Sequence, residues 1–343
     1  MQPRLLALKS AVPPFVLDQT DVSIRAAALF QSRRDMARLM PVFENTGIER
    51  RYSCVPIDWY NEPHGWSDRN ALYIKNAVAL FERLTVALLD EAGLAPDDID
   101  AIVVASTTGI ATPSLDALVV EKMGLRRDIR RLPIFGLGCA GGVVGLARAA
   151  EIAKAHPGSR VLFLVVELCA LTFRRDDISK SNIVATALFG DGAAGAILST
   201  AGDGPTVGPS GEYTWPDSLG IMGWDVEESG LKAIFSQSIP SLVASDFKHI
   251  LQRFLEANRL RLADIDGLAC HPGGAKVLDA LEEAFGMPRG ALVESREVLR
   301  RYGNMSAVTA LFVLERMPWR ARRTMMTALG PGFSAAFLVI DGR

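Results

Sequence analysis

The stretch DIDAIVVA at 98–105 has a counterpart in DIDGLACH at 264–271, and this internal echo constrains the fold more than any other feature of the 343-residue chain. In each copy an acidic cap leads into a strand-length apolar run. The order downstream also repeats: Gly138-Cys139 opens a helical pattern 41 residues after Asp98, and Gly303-Asn304 opens one 40 residues after Asp264. Each copy then closes on a glycine-led apolar strand, GDGAAGAIL at 190–198 and GPGFSAAFLVI at 330–340. Three matched pairs in one order predict an internally duplicated α/β fold, with residues 1–205 and 206–343 as its halves and the polar, Gly- and Pro-rich segment 201–219 as their meeting place. Runs such as AIVVAS (101–106) and RVLFLVVE (160–167), alternating with longer helical patterns, place a buried sheet in the first half. That half also carries extra residues around 167–189, beside the helix that Cys139 opens, where pocket walls and gates are expected.

Composition narrows the function. A hydrophobic fraction of 49% supports a substantial core, and a net charge of −2 with scattered Lys and Arg lacks the basic stripe of a nucleic-acid binder. A small or acyl substrate fits better. The most apolar later run, VLFLVVELCAL (161–171), contains Glu167 and is about half the ~20 residues that span a bilayer, so no transmembrane helix is predicted. The N-terminus reads as a first strand rather than a signal peptide. Cys54, Cys139, Cys169 and Cys270 form no CxxC pair and no metal-ligand spacing. They read as reduced thiols, which points to the cytoplasm, and no metal site is predicted.

Under the duplication, a pseudo-twofold axis brings Cys139, His271 and Asn304 toward one point. A thiol with an ordinary pKa of ~8.5 becomes a usable thiolate when a helix N-terminus and an adjacent imidazolium favour the anion. His271 is placed to hold that charge and, with the Asn304 amide, to donate hydrogen bonds to an oxyanion. The glycines around Cys139 fit a tight turn or a close approach by substrate. Cys54 and Cys270 read as core residues.

Taken together, GCAGG with Cys139, CHPGG with His271, YGNMSA with Asn304, ALFGDGAA at 187–194 and the closing GPG at 330–332 resemble the type III polyketide synthases, the chalcone-synthase-like branch of the thiolase superfamily. The resemblance runs from SAVPPFVLDQ to ALGPGFSAAFLVI. It implies the duplicated, five-layered αβαβα thiolase fold, a homodimer, and coenzyme A thioesters as substrates with no permanently bound cofactor. It also implies that Cys139 takes an acyl starter from acyl-CoA, that malonyl-CoA decarboxylates with its thioester carbonyl held by His271 and Asn304, and that repeated condensation ends in cyclisation. Phe189 falls on the family's gatekeeping phenylalanine. Thr107, Ala111, Thr112, Cys169, Thr172 and Gly332 fall on its substrate pocket.

Departures from the family pattern bear on the substrate. A second gatekeeping aromatic is replaced by Ala233, with Phe235 two residues along as a substitute. Of the basic cluster for the CoA phosphates only Arg38 matches, since Pro41 and Asn45 stand where other cations are usual; Arg33, Arg34 or Arg50 are the alternatives. Small side chains at Thr107, Ala111, Thr112 and Cys169 resemble bacterial members that accept long fatty acyl starters, and each buried methylene is worth ~0.8 kcal/mol. The resulting expectation is an alkylresorcinol or alkylpyrone synthase. The alternatives are a family member using a short or malonyl starter and a single-condensation ketoacyl synthase, although Pro272-Gly273-Gly274 after the histidine and the terminal GPG favour the polyketide branch. A papain-like hydrolase shares the order Cys, His, Asn but carries its cysteine near the mature N-terminus.

Overall fold

The computed structural model describes residues 1–236 and 238–342. The main sheet has nine strands: β1 (Arg4–Ala11), β2 (Ala101–Ala105), β3 (Arg130–Ile134), β4 (Val161–Leu168), β5 (Asp191–Ser199), β6 (Thr206–Thr214), β7 (Gly267–Cys270), β8 (Arg323–Gly330) and β9 (Ser334–Asp341). Their spatial order is β7-β8-β9-β6-β1-β5-β4-β2-β3. Split between β6 and β1, this is one pattern used twice. The first half-sheet runs third, second, fourth, fifth, first strand; the second runs second, fourth, fifth, first, with a turn at 286–292 where a third strand would lie. The directions repeat too, because β2 pairs parallel with β4 as β7 does with β8, and β5 lies antiparallel between β4 and β1 as β9 does between β8 and β6. The half-sheets touch through the pair Arg4 and Thr206, flanked by the Leu5 N–H on the Pro205 carbonyl at 2.9 Å and the Val207 N–H on the Pro3 carbonyl at 2.8 Å.

Strand periodicity builds the layers. Successive strand side chains point to opposite faces, so Val161, Phe163 and Val165 of β4 enter one core while Leu162, Leu164 and Val166 enter another. On β9, Ala336, Leu338 and Ile340 join the first of these cores, and Ala335, Phe337 and Val339 join a third. The shared central core holds α4 (Gly141–Ala155) and α9 (Thr309–Arg316), sandwiched between the half-sheets. Helices α2 (Trp66–Ala92) and α3 (Leu115–Met123) cover the outside of the first half-sheet, and α6 (Lys248–Ala257) and α7 (Ala275–Ala284) cover the second. The five layers of the duplicated thiolase fold are therefore present.

Three further elements frame the region around the nucleophile's half. They are α1 (Gln19–Leu29), α5 (Lys180–Leu188) and a hairpin of Met222–Glu227 with Gly230–Phe235. The last helix, α8 (Val293–Tyr302), ends one residue before Asn304 begins its turn toward α9, with Gly303 at φ +69°. Among the described residues no helix is long and apolar enough to cross a membrane, and no group of His, Cys, Asp and Glu is arranged to hold a metal ion.

Candidate active site

Cys139 sits in a 3-10 turn, Gly138–Ala140, that runs directly into α4. Three glycines explain why the turn can sit there. Gly138 has φ +46° and donates its N–H to Thr107 Oγ1 at 3.1 Å. At Gly142 a Cβ would lie 2.0 Å from the Ala307 carbonyl oxygen, so only glycine lets α4 cross the turn before α9 this closely. Across the sheet end, a Cβ on Gly330 would lie 2.7 Å from Ala140 Cβ and 2.8 Å from the Leu137 carbonyl, which is how the closing GPG packs against the cysteine turn. The motifs GCAGG, NMSA and GPG are thus three sides of one close contact between the halves.

His271 follows β7, its N–H donated to the Thr327 carbonyl at 2.8 Å. The Pro272-Gly273 turn presents the Gly273 carbonyl to Asn304 Nδ2 at 3.2 Å, tying the two residues together. The Asn304 backbone is pinned on both sides of Phe189, since its N–H donates to Leu188 O at 2.8 Å and its carbonyl accepts from Gly190 N–H at 3.1 Å. Its Oδ1 accepts from the Ser306 N–H at 2.8 Å. Ser306, at φ +47° in a region a non-glycine residue seldom occupies, turns its hydroxyl to the Cys139 thiol. Cys139, His271, Asn304 and Ser306 are all buried.

Burial governs the protonation states. It pushes the Cys139 thiol up to about 12, with Ser306 opposing and buried Glu167 reinforcing the shift. It pulls His271 down to about 3, and neither ring nitrogen has a hydrogen-bond partner among the described residues. Burial in this dry pocket thus disfavours each charge of the thiolate–imidazolium pair expected from the sequence. Glu167, at the end of β4, accepts from the Thr107 N–H at 3.0 Å and the Thr108 hydroxyl at 2.8 Å, yet full burial still raises it to about 7.

Beside this cluster lies a small, mostly apolar pocket of about 60 Å³, with the buried Arg51 in its lining. Cys169, Thr172 and Phe189 line its inner end, and α1 with Ile57 and Asn61 forms its far side. Cys169 lies within electrostatic reach of Cys139. Phe189 meets Phe235 with ring centroids 5.5 Å apart and Trp224 at 5.8 Å, and Ala233 packs on the same group. Phe235, the substitute aromatic the sequence offered, packs edge-on against Phe189. Trp224, opposite Ala233 in the hairpin and also against Phe189, escaped sequence reasoning. Thr107 is buried against the cysteine turn rather than lining the cavity.

Three expectations need correction or relocation. Thr112 is exposed, in the loop before the cis Thr112–Pro113 bond, and does not line this cavity; Ala111 beside it packs with the α2 and α3 core. Gly332, at φ +124°, shapes the turn between β8 and β9 and accepts from the Ser218 hydroxyl at 2.9 Å, apart from the cavity lining. Arg38 is exposed on the short helix Met36–Leu39, while Arg33 is engaged with Asp35 and the Ile178 carbonyl; Arg34 and Arg50 are exposed.

Comparison with known proteins decides the family. The N-terminal domain model of chalcone and stilbene synthases matches residues 2–203, and the C-terminal domain model matches 210–340. The chain belongs to the chalcone and stilbene synthase family. It is 38% identical over 347 residues to the 1,3,6,8-tetrahydroxynaphthalene synthase of Streptomyces peucetius subsp. caesius, covering 97% of this chain and 92% of that one. It is 28% identical to the alpha-pyrone synthesis polyketide synthase-like protein Pks18 of Mycobacterium tuberculosis (strain CDC 1551 / Oshkosh), covering 97% and 90%. The crystal structure of the tetrahydroxynaphthalene synthase of Streptomyces coelicolor A3(2), a bacterial type III polyketide synthase, superposes with a TM-score of 0.93 at 26% identity over 98% of this chain and 99% of that chain. This chain is a type III polyketide synthase, an acyltransferase that works on coenzyme A thioesters.

Proposed function

We propose that this synthase loads a fatty acyl starter on Cys139, extends it with malonyl-CoA and releases an alkylpyrone or alkylresorcinol. The observation that carries the starter class is the apolar cavity whose inner wall is Cys169 and Phe189, beside the buried Cys139. Burying each methylene of a chain there contributes ~0.8 kcal/mol.

In this reading residues 1–205 supply the nucleophile and residues 206–343 the electrophilic pair. The Cys139 proton passes to His271 as the sulfur attacks the acyl-CoA carbonyl, and the departing CoA thiolate takes that proton back. Cys139 then holds the thioester and His271 is neutral again. A neutral imidazole retains one N–H donor, and the Asn304 amide has a second N–H beyond the one on Gly273. Both point their dipoles at the malonyl thioester oxygen, where charge develops as the carboxylate leaves as carbon dioxide. The enolate carbon attacks the Cys139 thioester, a carbon–carbon bond forms, and the thiolate is released for the next cycle. Phe189, held over the cavity by Phe235 and Trp224, is the gate between the incoming CoA thioester and the chain. Arg38 contributes charge toward the CoA phosphates.

We also propose a homodimer in the cytoplasm. Edge strand β3 leaves Leu132 exposed, Phe135 follows it at 61% exposure, and Ile110 is exposed in the loop that carries Thr112. An apolar sheet edge of this kind is ordinarily covered. Four cysteines without a disulfide fit a reducing compartment.

The specific rival is a naphthalene-forming synthase, favoured by the 38% identity to one that bears that name. A panel of starters from acetyl- to stearoyl-CoA, with malonyl-CoA and products read by mass, separates them. Pyrones or resorcinols bearing the starter's alkyl chain support the proposal. A ten-carbon aromatic from malonyl-CoA alone, with no incorporation of long starters, supports the rival.

A further inference from the structure

Arg51 is a fully buried arginine, 2% exposed, on the short strand Arg50–Ser53, and no step of the mechanism uses it. Its Nη1 donates to the Thr186 carbonyl at 2.6 Å and to the Phe189 carbonyl at 2.9 Å. Thr186 belongs to the last turn of α5 and Phe189 is its C-cap, where carbonyls lack a following N–H within the helix. The two carbonyls between them are taken as well, Ala187 by Gln19 Nε2 at 3.1 Å and Leu188 by the Asn304 N–H at 2.8 Å. A cation at this end also meets the negative pole of the helix. Burial pulls Arg51 down to about 10, with Tyr60 and Asp191 opposing, so it stays charged at neutral pH. Its Nε and Nη2 have no hydrogen-bond partner among the described residues, which leaves Nη1 as the donor that fixes it. The stem of the same side chain meets the other half of the site. At Gly303 a Cβ would lie 2.7 Å from Arg51 Cγ and 2.7 Å from the Leu188 carbonyl, so the arginine stands where a side chain next to Asn304 would otherwise be. A Cβ on Gly190 would lie 3.3 Å from Arg51 Cβ. Phe189 and Asn304 pair as an isolated parallel bridge, and Arg51 holds one side of it by hydrogen bonds and packs on the other at Gly303.

We propose that Arg51 is a positioning residue: by capping α5 and packing on Gly303 it fixes the Phe189–Asn304 bridge, and so aims the Asn304 amide at the malonyl thioester oxygen. It acts through Asn304 and not on the substrate. Preorganised donors lower a barrier only while they stay aimed at the place where charge develops, so a group that holds the amide's backbone acts on the decarboxylation step. Loading of Cys139 does not depend on it, because the cysteine turn is held separately by the Gly138 N–H on Thr107 Oγ1. The inference rests on the oxyanion role given to Asn304 and adds the residue that keeps that amide in place.

The test uses the full-length protein with carboxyl-labelled malonyl-CoA and no starter, and reads carbon dioxide release as kcat and KM. Arg51→Met keeps most of the stem and removes the donor, whereas Arg51→Lys keeps the charge without the guanidinium fork. A misplacement of ~1 Å is worth about a hundredfold in rate, so Arg51→Met should lower kcat about tenfold or more. KM for malonyl-CoA should change by less than about twofold, as when an interaction made only in the transition state is lost. Arg51→Lys should fall between Arg51→Met and wild type. The rate at which iodoacetamide alkylates Cys139, read by intact mass, should stay within about twofold of wild type in both variants, since the cysteine turn is left in place. In an Asn304→Ala background Arg51→Met should cause no further loss, the non-additivity expected when one residue acts through another. Wild-type decarboxylation in Arg51→Met, or in Arg51→Lys where the methionine variant does not fold, overturns the proposal. So does an equal loss with and without the Asn304 amide, or a parallel fall in Cys139 alkylation, because either marks a merely structural role. Unimpaired decarboxylation in Asn304→Ala overturns the oxyanion role of Asn304 and this inference with it.

Discussion

Replacing Gly142 with alanine puts a methyl carbon 2.0 Å from the Ala307 carbonyl oxygen and 2.7 Å from Leu311 Cδ1, where contacts below 3.4 Å are already tight. The first neighbour is backbone and cannot swing aside. Restoring ordinary contact takes a separation of ~1.4 Å between α4 and the turn that leads into α9, and overpacking of this kind costs ~1–3 kcal/mol. The functional effect is of similar size in free energy. Cys139 precedes Gly142 by one turn, and Asn304 and Ser306 precede and adjoin Ala307, so the same displacement separates the nucleophile from its partners. A misplacement of ~1 Å is worth about a hundredfold in rate. Condensation measured as kcat/KM with malonyl-CoA should therefore fall by about that factor in Gly142→Ala, while urea denaturation shows a folded protein weakened by ~1–3 kcal/mol. Gly220→Ala, where an added Cβ meets nothing within 4 Å, serves as the control and should change neither quantity. Wild-type kcat/KM in a folded Gly142→Ala protein would refute the reasoning that this glycine sets the distance between the two halves of the site.

Two further perturbations probe the site's electrostatics and its gate. Glu167 is raised from 4.5 to about 7 in the fold, so its contribution to stability is full below its unfolded pKa and is lost as pH rises through 7. At ~1.36 kcal/mol for each pKa unit, the stability of wild type relative to Glu167→Gln should drop by about 3 kcal/mol between pH 4 and pH 8 in denaturant titrations; a pH-independent difference would mean Glu167 titrates alike in the folded and unfolded chain. Trp224→Ala removes a ring from against Phe189 and opposite Ala233, so product mass profiles should shift toward more extension units per starter, and an unchanged profile would mean the tryptophan does not bound the growing chain.

Much of the site was legible because the chemistry demanded rare residues at rare places. The glycines of GCAGG and GPG stand where backbone meets backbone, and the repeated DID strands set Cys139 and Asn304 at corresponding places in the two halves, with His271 at the end of the second copy's strand. The sheet order shows the reason: each half uses its strands in the same sequence, so equivalent positions emerge at one shared face. Trp224 stayed hidden because its role depends on hairpin register. It pairs with Ala233, and the turn at 228–229 that aligns them could have been read as a hairpin signal. Ser306 could not have been found this way, since its importance comes from a left-handed backbone that no local residue pattern announces. Burial opposes the charged pair expected at Cys139 and His271. Residue types report what a group can become, and burial sets what it is at rest. Thr112 shows the limit of matching position to role, because an exposed loop in one chain acquires a role in a site only through what covers it.

The central claim is that Cys139 carries the growing chain. Intact-mass spectrometry of the full-length protein after incubation with decanoyl-CoA tests it most directly. The account predicts a single added decanoyl group, mapped by proteolysis to the peptide containing Cys139 and absent from Cys139→Ala. An unmodified wild-type protein, or an adduct that persists in Cys139→Ala, would contradict it.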